Sequence, residues 1–246
     1  MAKVVDAIGP ASGDTFLEIG PGRGALTAAL APRVRRVIAV EIDRDLAAAL
    51  PARVPPNVRV ATADFLLVDL DALLKDEPAP LRVAGNLPYN VSSPILFRLL
   101  GAAAEGRRFR DAVVMLQKEV ADRLAAAPGA EGYGALAIQV QLLADVDRLL
   151  TLPAGAFRPA PKVTSALVRL RFRAPAAEVA DRAAFERLVR GLFRQRRKTL
   201  LNALRPLLES TGRGADEILA SVGLNPSRRP ETLTIDELAR LTRAVL

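Results

Sequence analysis

Short apolar runs alternate with amphipathic stretches along the first 170 residues or so of this 246-residue chain. The runs predict five strands, at 15–20, 34–42, 57–64, 81–86 and 111–119. Strands separated by helical spacing are typical of an α/β fold with a doubly wound, Rossmann-like parallel sheet. Two further runs, at 145–152 and 163–172, are not separated by a long helix. They predict an antiparallel pair at one edge of the sheet.

Only helical spacing remains after the Ala- and Pro-rich stretch at 173–182. Four segments carry it: FERLVRGLF, KTLLNALRPLL, ADEILASVG and IDELARLTRAVL. Glycines and prolines separate the last three segments. We therefore predict a sheet domain over residues 1–174 and a small all-helical domain over 175–246.

The composition excludes several kinds of chemistry. The chain has no cysteine and no histidine, so it has no disulfide framework, thiolate nucleophile, imidazole base or Cys/His zinc site. No metal is expected. No apolar run approaches the roughly 18 residues that span a bilayer, and no secretory leader is recognisable. A cytoplasmic protein without a membrane association is therefore expected.

The net charge of +8 is concentrated in two stretches. Residues 187–205 contain seven Lys or Arg and no acid, and residues 158–173 contain five and no acid. The rest of the chain is therefore net acidic. This pattern indicates a polyanionic partner that contacts one part of the surface. Solvated arginines without a partner are the alternative interpretation of either stretch alone.

A glycine-rich turn, EIGPGRGA at 18–25, ends the first predicted strand and begins a helix. Glycines at 20, 22 and 24 allow a tight turn and a close approach of a ligand to the backbone. The second strand ends in Glu41, which can accept hydrogen bonds from ribose hydroxyls, and the third ends in Asp64, which can bind an adenine amino group. Both acids could instead be ordinary helix caps. The glycines also fit a loose dinucleotide fingerprint, but no hydride-transfer residues follow.

The fourth strand leads into GNLPYNVSSP at 85–94. Suppose that the cofactor carries a sulfonium methyl group and that the exocyclic amine of adenine accepts it. This amine is a poor nucleophile, because its lone pair is delocalised into the purine ring. The Asn86 side-chain oxygen and the Leu87 carbonyl could hold the amine and turn its lone pair toward the methyl group. Pro88 fixes the turn and Tyr89 offers a stacking face. The alternative is a plain junction in which Ser93 and Pro94 start the next helix.

The motif GNLPYNVSSP resembles that of the KsgA-type small-subunit ribosomal RNA adenine dimethyltransferases. EIGPGRGALT, VIAVEIDRDL, ATADFLLVD, FRPAPKVTSALVRL and LFRQRRKTLLNAL are also similar to that family. The resemblance implies a class I methyltransferase domain and a helical RNA-binding domain. It implies S-adenosylmethionine as the cofactor and dimethylation of two adjacent adenosines near the 3′ end of 16S ribosomal RNA. The implied partner is a pre-assembled small ribosomal particle, met by a monomeric enzyme.

The resemblance also implies roles for individual residues. The implied cofactor-binding residues are Glu18, Gly20, Gly22, Glu41, Ile42, Asp64, Phe65 and Asn86. The implied catalytic residues, which hold the target adenine, are Asn86, Leu87, Pro88, Tyr89 and Phe157. The implied RNA-binding residues are Arg158, Lys162, Arg194, Arg196, Arg197 and Lys198.

Three other interpretations stay open at this point. Family members begin with a segment of the form G-Q-N/H-F-L, and about 25 residues of that kind are expected to precede MAKVVDAIGP. A chain without them could be a catalytically impaired ribosome-assembly binding factor. Erm-type enzymes, which act on large-subunit RNA, share the fold and motif, but FRQRRKTLLNAL favours the small-subunit branch. The basic helical segment argues against a small-molecule methyltransferase.

Overall fold

A computed structural model describes residues 1–246 apart from residues 107, 154, 156–162, 210 and 211. By its contacts the chain divides into two compact units. The sheet unit comprises Met1–Ala121 and Ala144–Arg173, and the helical unit comprises Asp122–Leu143 and Ala174–Leu246. The inclusion of 122–143 in the helical unit was not foreseen from the sequence. The domain limits of 1–174 and 175–246 stay a prediction.

The described part of the sheet unit contains a seven-stranded sheet of order β3-β2-β1-β4-β5-β7-β6. The strands are β1 Thr15–Ile19, β2 Arg36–Glu41, β3 Val58–Thr62, β4 Leu81–Asn86, β5 Phe109–Gln117, β6 Ala144–Leu152 and β7 Ser165–Phe172. Strands β1 to β5 are parallel, whereas β7 is antiparallel to both β5 and β6. The predicted class I Rossmann-like fold is confirmed, with its antiparallel pair at the edge.

Helices lie before and between the strands. They are α1 Ala2–Ile8, α2 Ala25–Leu30, α3 Arg44–Ala49, α4 Leu70–Leu74, α5 Ser92–Gly106 and α6 Lys118–Leu124. Asp43 caps α3 by accepting from the amides of Asp45 and Leu46, and Asp69 caps α4 in the same way. Helices α1 and α2 pack on one face of the sheet in a core that includes Phe16 and Val113. Burying these apolar faces is what holds the helices against the sheet.

A buried guanidinium lies at the amino edge of the sheet. Arg82, at the start of β4, is only 3% exposed. Its Nε and Nη2 donate to the two carboxylate oxygens of Asp111 on β5, each at 2.8 Å, and its Nη1 donates to Asp14 at 2.9 Å. Nη1 and Nη2 also donate to the carbonyls of Gly9 and Ile8 at the end of α1. One side chain therefore ties α1 to three neighbouring strand starts.

The helical unit is built from α7 Ala135–Leu143, α8 Arg182–Arg194, α9 Leu200–Leu208, α10 Ala215–Ser221 and α11 Ile235–Val245. The Tyr133 hydroxyl donates to the Leu233 carbonyl at 3.0 Å, and its ring contacts Phe193 edge to face. Burial, and secondarily the charge of Glu237, raises the pKa of Tyr133 to about 12. Helix α7 was missed in the sequence because ALAIQVQLL is buried on nearly all sides and has no polar face.

No helix in the described part of the chain is both long and apolar enough to cross a membrane.

Replacing Arg82 with methionine should lower the free energy of unfolding of the sheet unit by about 3–5 kcal/mol, because the carboxylates of Asp111 and Asp14 lose their buried partner. Arg171, half-exposed and paired with Asp147, is the control, and Arg171→Met should cost less than about 1 kcal/mol. Urea denaturation followed by circular dichroism measures both. Equal losses for the two variants would contradict the anchoring role of Arg82.

Candidate active site

The carboxyl ends of the parallel strands bring most of the predicted site residues to one edge of the sheet unit. In the strand register Ile19 of β1 lies beside Val40 of β2 and Gly85 of β4, and Glu41 of β2 lies beside Thr62 of β3. The loops that leave these four strands are consequently neighbours. This edge is where open α/β sheets bind their ligands.

The glycine-rich turn after β1 adopts backbone angles that favour glycine. Gly20 has a φ of 64° and Gly22 a φ of 58°, and no atom lies within 4 Å of a Cβ built at either position. Backbone conformation, not lack of space, is thus the reason for glycine at both positions. The Gly20 amide donates to the Val40 carbonyl at 3.0 Å, which fixes the turn against β2.

Glu41 closes this turn from the neighbouring strand. One carboxylate oxygen accepts from the Gly22 amide at 2.9 Å, and the other accepts from the Asp43 amide at 3.0 Å. The side chain is buried and is not the cap of α3, which is Asp43. Each oxygen keeps a second lone pair, so the carboxylate can still accept a ribose hydroxyl.

Glu18 is a buried carboxyl group beneath the same turn. The residue is 1% exposed, and its Oε2 has no hydrogen-bond partner among the described residues. Burial, and to a smaller degree the charge of Glu41, raises the pKa of Glu18 to about 7, although the nearby hydroxyl and amide of Thr27 act in the opposite direction. An unpartnered buried oxygen that ionises near neutral pH suits a cationic ligand.

The loop after β3 presents Asp64 and Phe65. Asp64 Oδ1 accepts from the Leu66 amide at 2.8 Å, so one of its oxygens forms a local turn and the other is left for a ligand. Phe65 is buried. Ile42, after β2, is 66% exposed and provides an apolar surface next to Glu41. A flat aromatic base is the kind of group that such a surface accommodates.

The turn after β4 carries the predicted acceptor residues. Asn86 is exposed, and within the described residues neither its side-chain amide nor the Leu87 carbonyl has a hydrogen-bond partner. The Leu87 amide donates to the Met115 carbonyl at 3.2 Å, and the Leu87 side chain is buried. Pro88 is exposed. The turn is thus held at Leu87 while its acceptors stay available.

Tyr89 is positioned by a strand on the far side of β5. Its hydroxyl lies 2.9 Å from the Ser165 Oγ, at the start of β7, and Ser165 is fully buried. Ser92, the first residue of α5, donates to the Tyr89 carbonyl at 3.2 Å. The aromatic ring is therefore held at both its hydroxyl and its backbone. Nothing in the local sequence pattern around Ser165 indicated this contact.

Gly85 allows β1 and β4 to approach each other immediately before these loops. A Cβ built at Gly85 would lie 2.7 Å from the Ile19 carbonyl oxygen, a distance that backbone atoms cannot tolerate. The glycine turn and the Asn86 turn therefore leave adjacent, closely packed strands.

The predicted RNA-binding residues lie in different places. Arg194 ends α8 in the helical unit, and the turn after it exposes Arg196, Arg197 and Lys198 around a cavity of about 170 Å³. Arg196 is 3.6 Å from the Glu231 carboxylate, the one ion pair within this basic cluster in the described part of the unit. Phe157, Arg158 and Lys162 lie outside the described residues.

The described arginines of the basic stretch at 158–173 form ion pairs with acids of the sheet unit. Arg169 lies 3.5 Å from the Asp111 carboxylate, and its Nη2 donates to carbonyls of α1. Arg171 pairs with Asp147 and Arg173 with Asp145 along β6. The sequence analysis counted these three positive charges toward a surface that binds a polyanion. The acids that pair with them lie outside residues 158–173, so a charge count over that stretch alone did not include them.

These residues fit S-adenosylmethionine. The glycine turn offers room for the cofactor, Glu41 and Asp64 offer acceptors for its nucleoside, and Glu18 offers a carboxylate for its positive charge. No group of three or more potential metal ligands occurs within the residues that the structure describes.

Comparison with known proteins shows the family of this chain. The family model described as "Ribosomal RNA adenine dimethylase" matches residues 1–243 of this chain. The chain belongs to the ribosomal RNA adenine dimethylase family. Members of this family are S-adenosylmethionine-dependent rRNA methyltransferases, so the chain is an enzyme of that class.

Two curated relatives carry the name Ribosomal RNA small subunit methyltransferase A. The one from Acinetobacter baylyi is 44% identical over 98% of this chain and 86% of its own length. The one from Aromatoleum aromaticum is 45% identical over 99% of this chain and 88% of its own length. Among solved structures, a dimethyladenosine transferase from Plasmodium falciparum superposes with a TM-score of 0.81 at 25% identity, covering 98% of this chain and 92% of its own. The 23S rRNA methyltransferase ErmE superposes with a TM-score of 0.69 at 26% identity, covering 99% of this chain and 96% of its own.

The raised pKa of Glu18 predicts how stability depends on pH. A carboxyl group whose pKa rises on folding stabilises the fold below its unfolded value of 4.5, and that contribution is lost as the pH rises through about 7. The cofactor-free protein should therefore lose up to roughly 3 kcal/mol of unfolding free energy between pH 4.5 and 8 relative to Glu18→Gln. Denaturant titrations at a series of pH values measure this difference.

Glu105→Gln is the matched control, since Glu105 is an exposed carboxylate on α5. Its pH curve should follow that of the wild type. Saturating S-adenosylmethionine should reverse the trend in the wild type, because the cationic ligand favours ionised Glu18. A wild-type curve parallel to that of Glu18→Gln would show that Glu18 titrates normally.

Proposed function

We propose that this enzyme transfers methyl groups from S-adenosylmethionine to N6 of two adjacent adenosines near the 3′ end of 16S ribosomal RNA, within a pre-assembled small ribosomal particle. The observation that supports this proposal most directly is the pair of unengaged acceptors, the Asn86 side chain and the Leu87 carbonyl. They lie one strand away from the glycine turn, where the cofactor binds in this proposal.

The chain's contribution to the chemistry is positioning and polarisation. When bound, S-adenosylmethionine supplies a methyl group on a positively charged sulfur, which is already a good electrophile. Asn86 Oδ1 and the Leu87 carbonyl accept hydrogen bonds from the adenine amine and turn its lone pair out of the ring plane. A lone pair freed from conjugation would form the new N–C bond to the methyl carbon as the C–S bond breaks. The electron pair of that bond would stay on sulfur, the cofactor would leave as neutral S-adenosylhomocysteine, and the amine proton would pass to solvent.

Tyr89 acts as a stacking surface in this proposal. Its hydroxyl lies within hydrogen-bond distance of the Ser165 Oγ, so the far end of its ring is fixed. A base that enters this site must leave its own stack, and an aromatic face compensates for part of that loss. We assign Phe157 the same role on the strength of the family motif.

We assign cofactor binding to Glu18, Gly20, Gly22, Glu41, Ile42, Asp64, Phe65 and Asn86. Glu41 would accept the ribose hydroxyls and Asp64 the adenine amine, for which their free lone pairs are suited. Glu18 would ionise against the cationic end of the cofactor. The glycines would let the cofactor approach the backbone.

The helical unit supplies phosphate contacts in this proposal. Arg194, Arg197 and Lys198 are exposed, and within the described residues none of them has an ion-pair partner. Guanidinium groups bind phosphate oxygens bidentately, which suits folded RNA. We further propose that the enzyme acts as a monomer in the cytoplasm, and that Arg158 and Lys162 extend the RNA contact.

Methyl transfer to small ribosomal particles that lack the modification tests the catalytic proposal. With labelled S-adenosylmethionine, the wild type should produce dimethyladenosine in a nuclease digest, and Asn86→Ala should lower kcat by a factor of about 100 or more. Asn90→Ala is the matched control, because Asn90 is an exposed asparagine in the same turn, and it should stay within about threefold of wild type.

Two results would overturn this assignment. Label on large-subunit particles alone would indicate an Erm-type enzyme, in line with the superposition on ErmE. Tight binding of the small particle without any product would indicate an assembly factor that does not methylate.

The basic cluster predicts a separate effect on RNA affinity. Arg196→Glu combined with Arg197→Glu should weaken particle binding at least tenfold and lower the magnitude of the salt slope by about two, with unchanged affinity for S-adenosylmethionine. Arg240→Glu with Arg243→Glu makes the same change of charge on the exposed side of α11 and should have little effect. Filter binding over a salt series measures both. Equal slopes for wild type and the first variant would exclude the cluster from the interface.

A further inference from the structure

Helix α5 contacts both halves of the proposed site through two of its side chains. Ser92 at its first position donates to the carbonyl of Tyr89 in the acceptor turn. Arg98, further along the same helix, extends to the loop that follows β3. This loop carries Asp64, which we assign to the adenine amine of the cofactor, and Phe65, which we also assign to cofactor binding.

Arg98 contacts that loop at three places. Its Nη1 donates to the Leu66 carbonyl at 2.7 Å, and its Nη2 donates to the Val68 carbonyl. Its guanidinium carbon lies 6.0 Å from the centroid of the Phe65 ring, over the ring face. The guanidinium thus binds two backbone carbonyls of one short segment and lies over one buried side chain in that segment.

The same segment determines where Asp64 lies. The Leu66 amide donates to Asp64 Oδ1 at 2.8 Å, and the amides of Leu67 and Val68 donate to the Asp64 carbonyl at 3.0 and 2.9 Å. The amides of the loop therefore face Asp64, while two of its carbonyls face Arg98. A shift of the loop away from Arg98 would move the carboxylate with it.

The position of the loop makes such an anchor necessary. Strand β3 is the last strand on its side of the sheet and pairs only with β2 in the part of the chain that the structure describes. The loop that leaves β3 has no outer strand to hold it, in contrast to the turn after β4, which lies between β1 and β5. Side-chain contacts from α5 supply the missing support.

We propose that Arg98 is a positioning residue for S-adenosylmethionine: it holds the 64–68 loop so that Asp64 and Phe65 meet the adenine of the cofactor. This inference rests on the proposed function of the site. Arg98 itself does not touch the reacting atoms, so its removal should weaken cofactor binding and leave the methyl-transfer step nearly unchanged. A planar guanidinium is suited to this task because it reaches two carbonyls from two separate nitrogens, whereas all the donors of an ammonium group radiate from a single nitrogen.

The surroundings of Arg98 allow the side chain to be changed without overpacking. A cavity of about 440 Å³ lies beside it, lined also by Gly101, Ala102 and Arg108. Arg108 provides a matched control on the same cavity: its Nη1 donates to the Leu74 carbonyl and its Nη2 to Asp71. It supports α4 and does not contact the 64–68 loop.

The test compares Arg98→Met, Arg98→Lys and Arg108→Met by isothermal titration with S-adenosylmethionine. Arg98→Met should raise Kd at least tenfold, Arg98→Lys should raise it about threefold, and Arg108→Met should stay within twofold of wild type. At saturating cofactor, kcat on small ribosomal particles should stay within threefold for all three variants. A Kd for Arg98→Met within twofold of wild type would overturn the proposal.

A double-mutant cycle separates positioning from a general loss of stability. If Arg98 acts through the loop, Asp64→Asn should raise Kd by nearly the same factor alone and together with Arg98→Met, because each change removes the same contact. Multiplicative effects on Kd would show that Arg98 acts elsewhere. Failure of the proposed function is a different result: the wild type would then bind no S-adenosylmethionine or transfer no methyl group.

Discussion

A charged guanidinium buried at the amino edge of the sheet has to be compensated from several elements at once. Arg82 on β4 meets the carboxylate of Asp111 on β5, that of Asp14 just before β1, and two carbonyls at the end of α1. Removing any one partner would leave charge or hydrogen-bonding capacity unsatisfied in a place that water does not reach. The relative positions of β1, β4 and β5 are therefore fixed at the amino edge. The loops at the carboxyl edge leave these strands side by side in the order β1, β4, β5.

The two edges of the sheet show different uses of charge. At the amino edge, acids and arginines neutralise one another, as Arg35 and Arg36 do with buried Glu77. At the carboxyl edge, carboxyl groups keep unused capacity: Glu18 has an unpartnered oxygen and Asp64 an oxygen outside its local turn. A folded protein tolerates such unpaired groups where a ligand later satisfies them. The contrast between the edges is itself a structural signature of a binding site.

Much of the architecture could be predicted from local pattern, because buried parallel strands appear as short apolar runs bounded by turn residues. Helix α7 could not, since a helix buried on nearly all sides has no amphipathic period. The glycine turn, Glu41 and Asn86 were predictable because each directly ends a strand. Arg98 and Ser165 were not, because their partners are distant in the chain and the contact depends on the packing of α5 and β7. The same limit explains the strand arginines, whose acids lie elsewhere in the sequence.

The absence of a side chain at Gly85 lets β1 and β4 keep the ordinary spacing of paired strands up to the start of the two turns. Because β1 and β4 are neighbours at this point, the glycine turn, to which we assign the methyl donor, and the Asn86 turn, to which we assign the acceptor, start one strand spacing apart. That spacing is roughly 4.8 Å in any sheet, since backbone hydrogen bonds set it. The separation between the starts of these two turns is therefore set by backbone hydrogen bonds, whereas the loops beyond the strand ends depend on side-chain contacts such as those of Arg98.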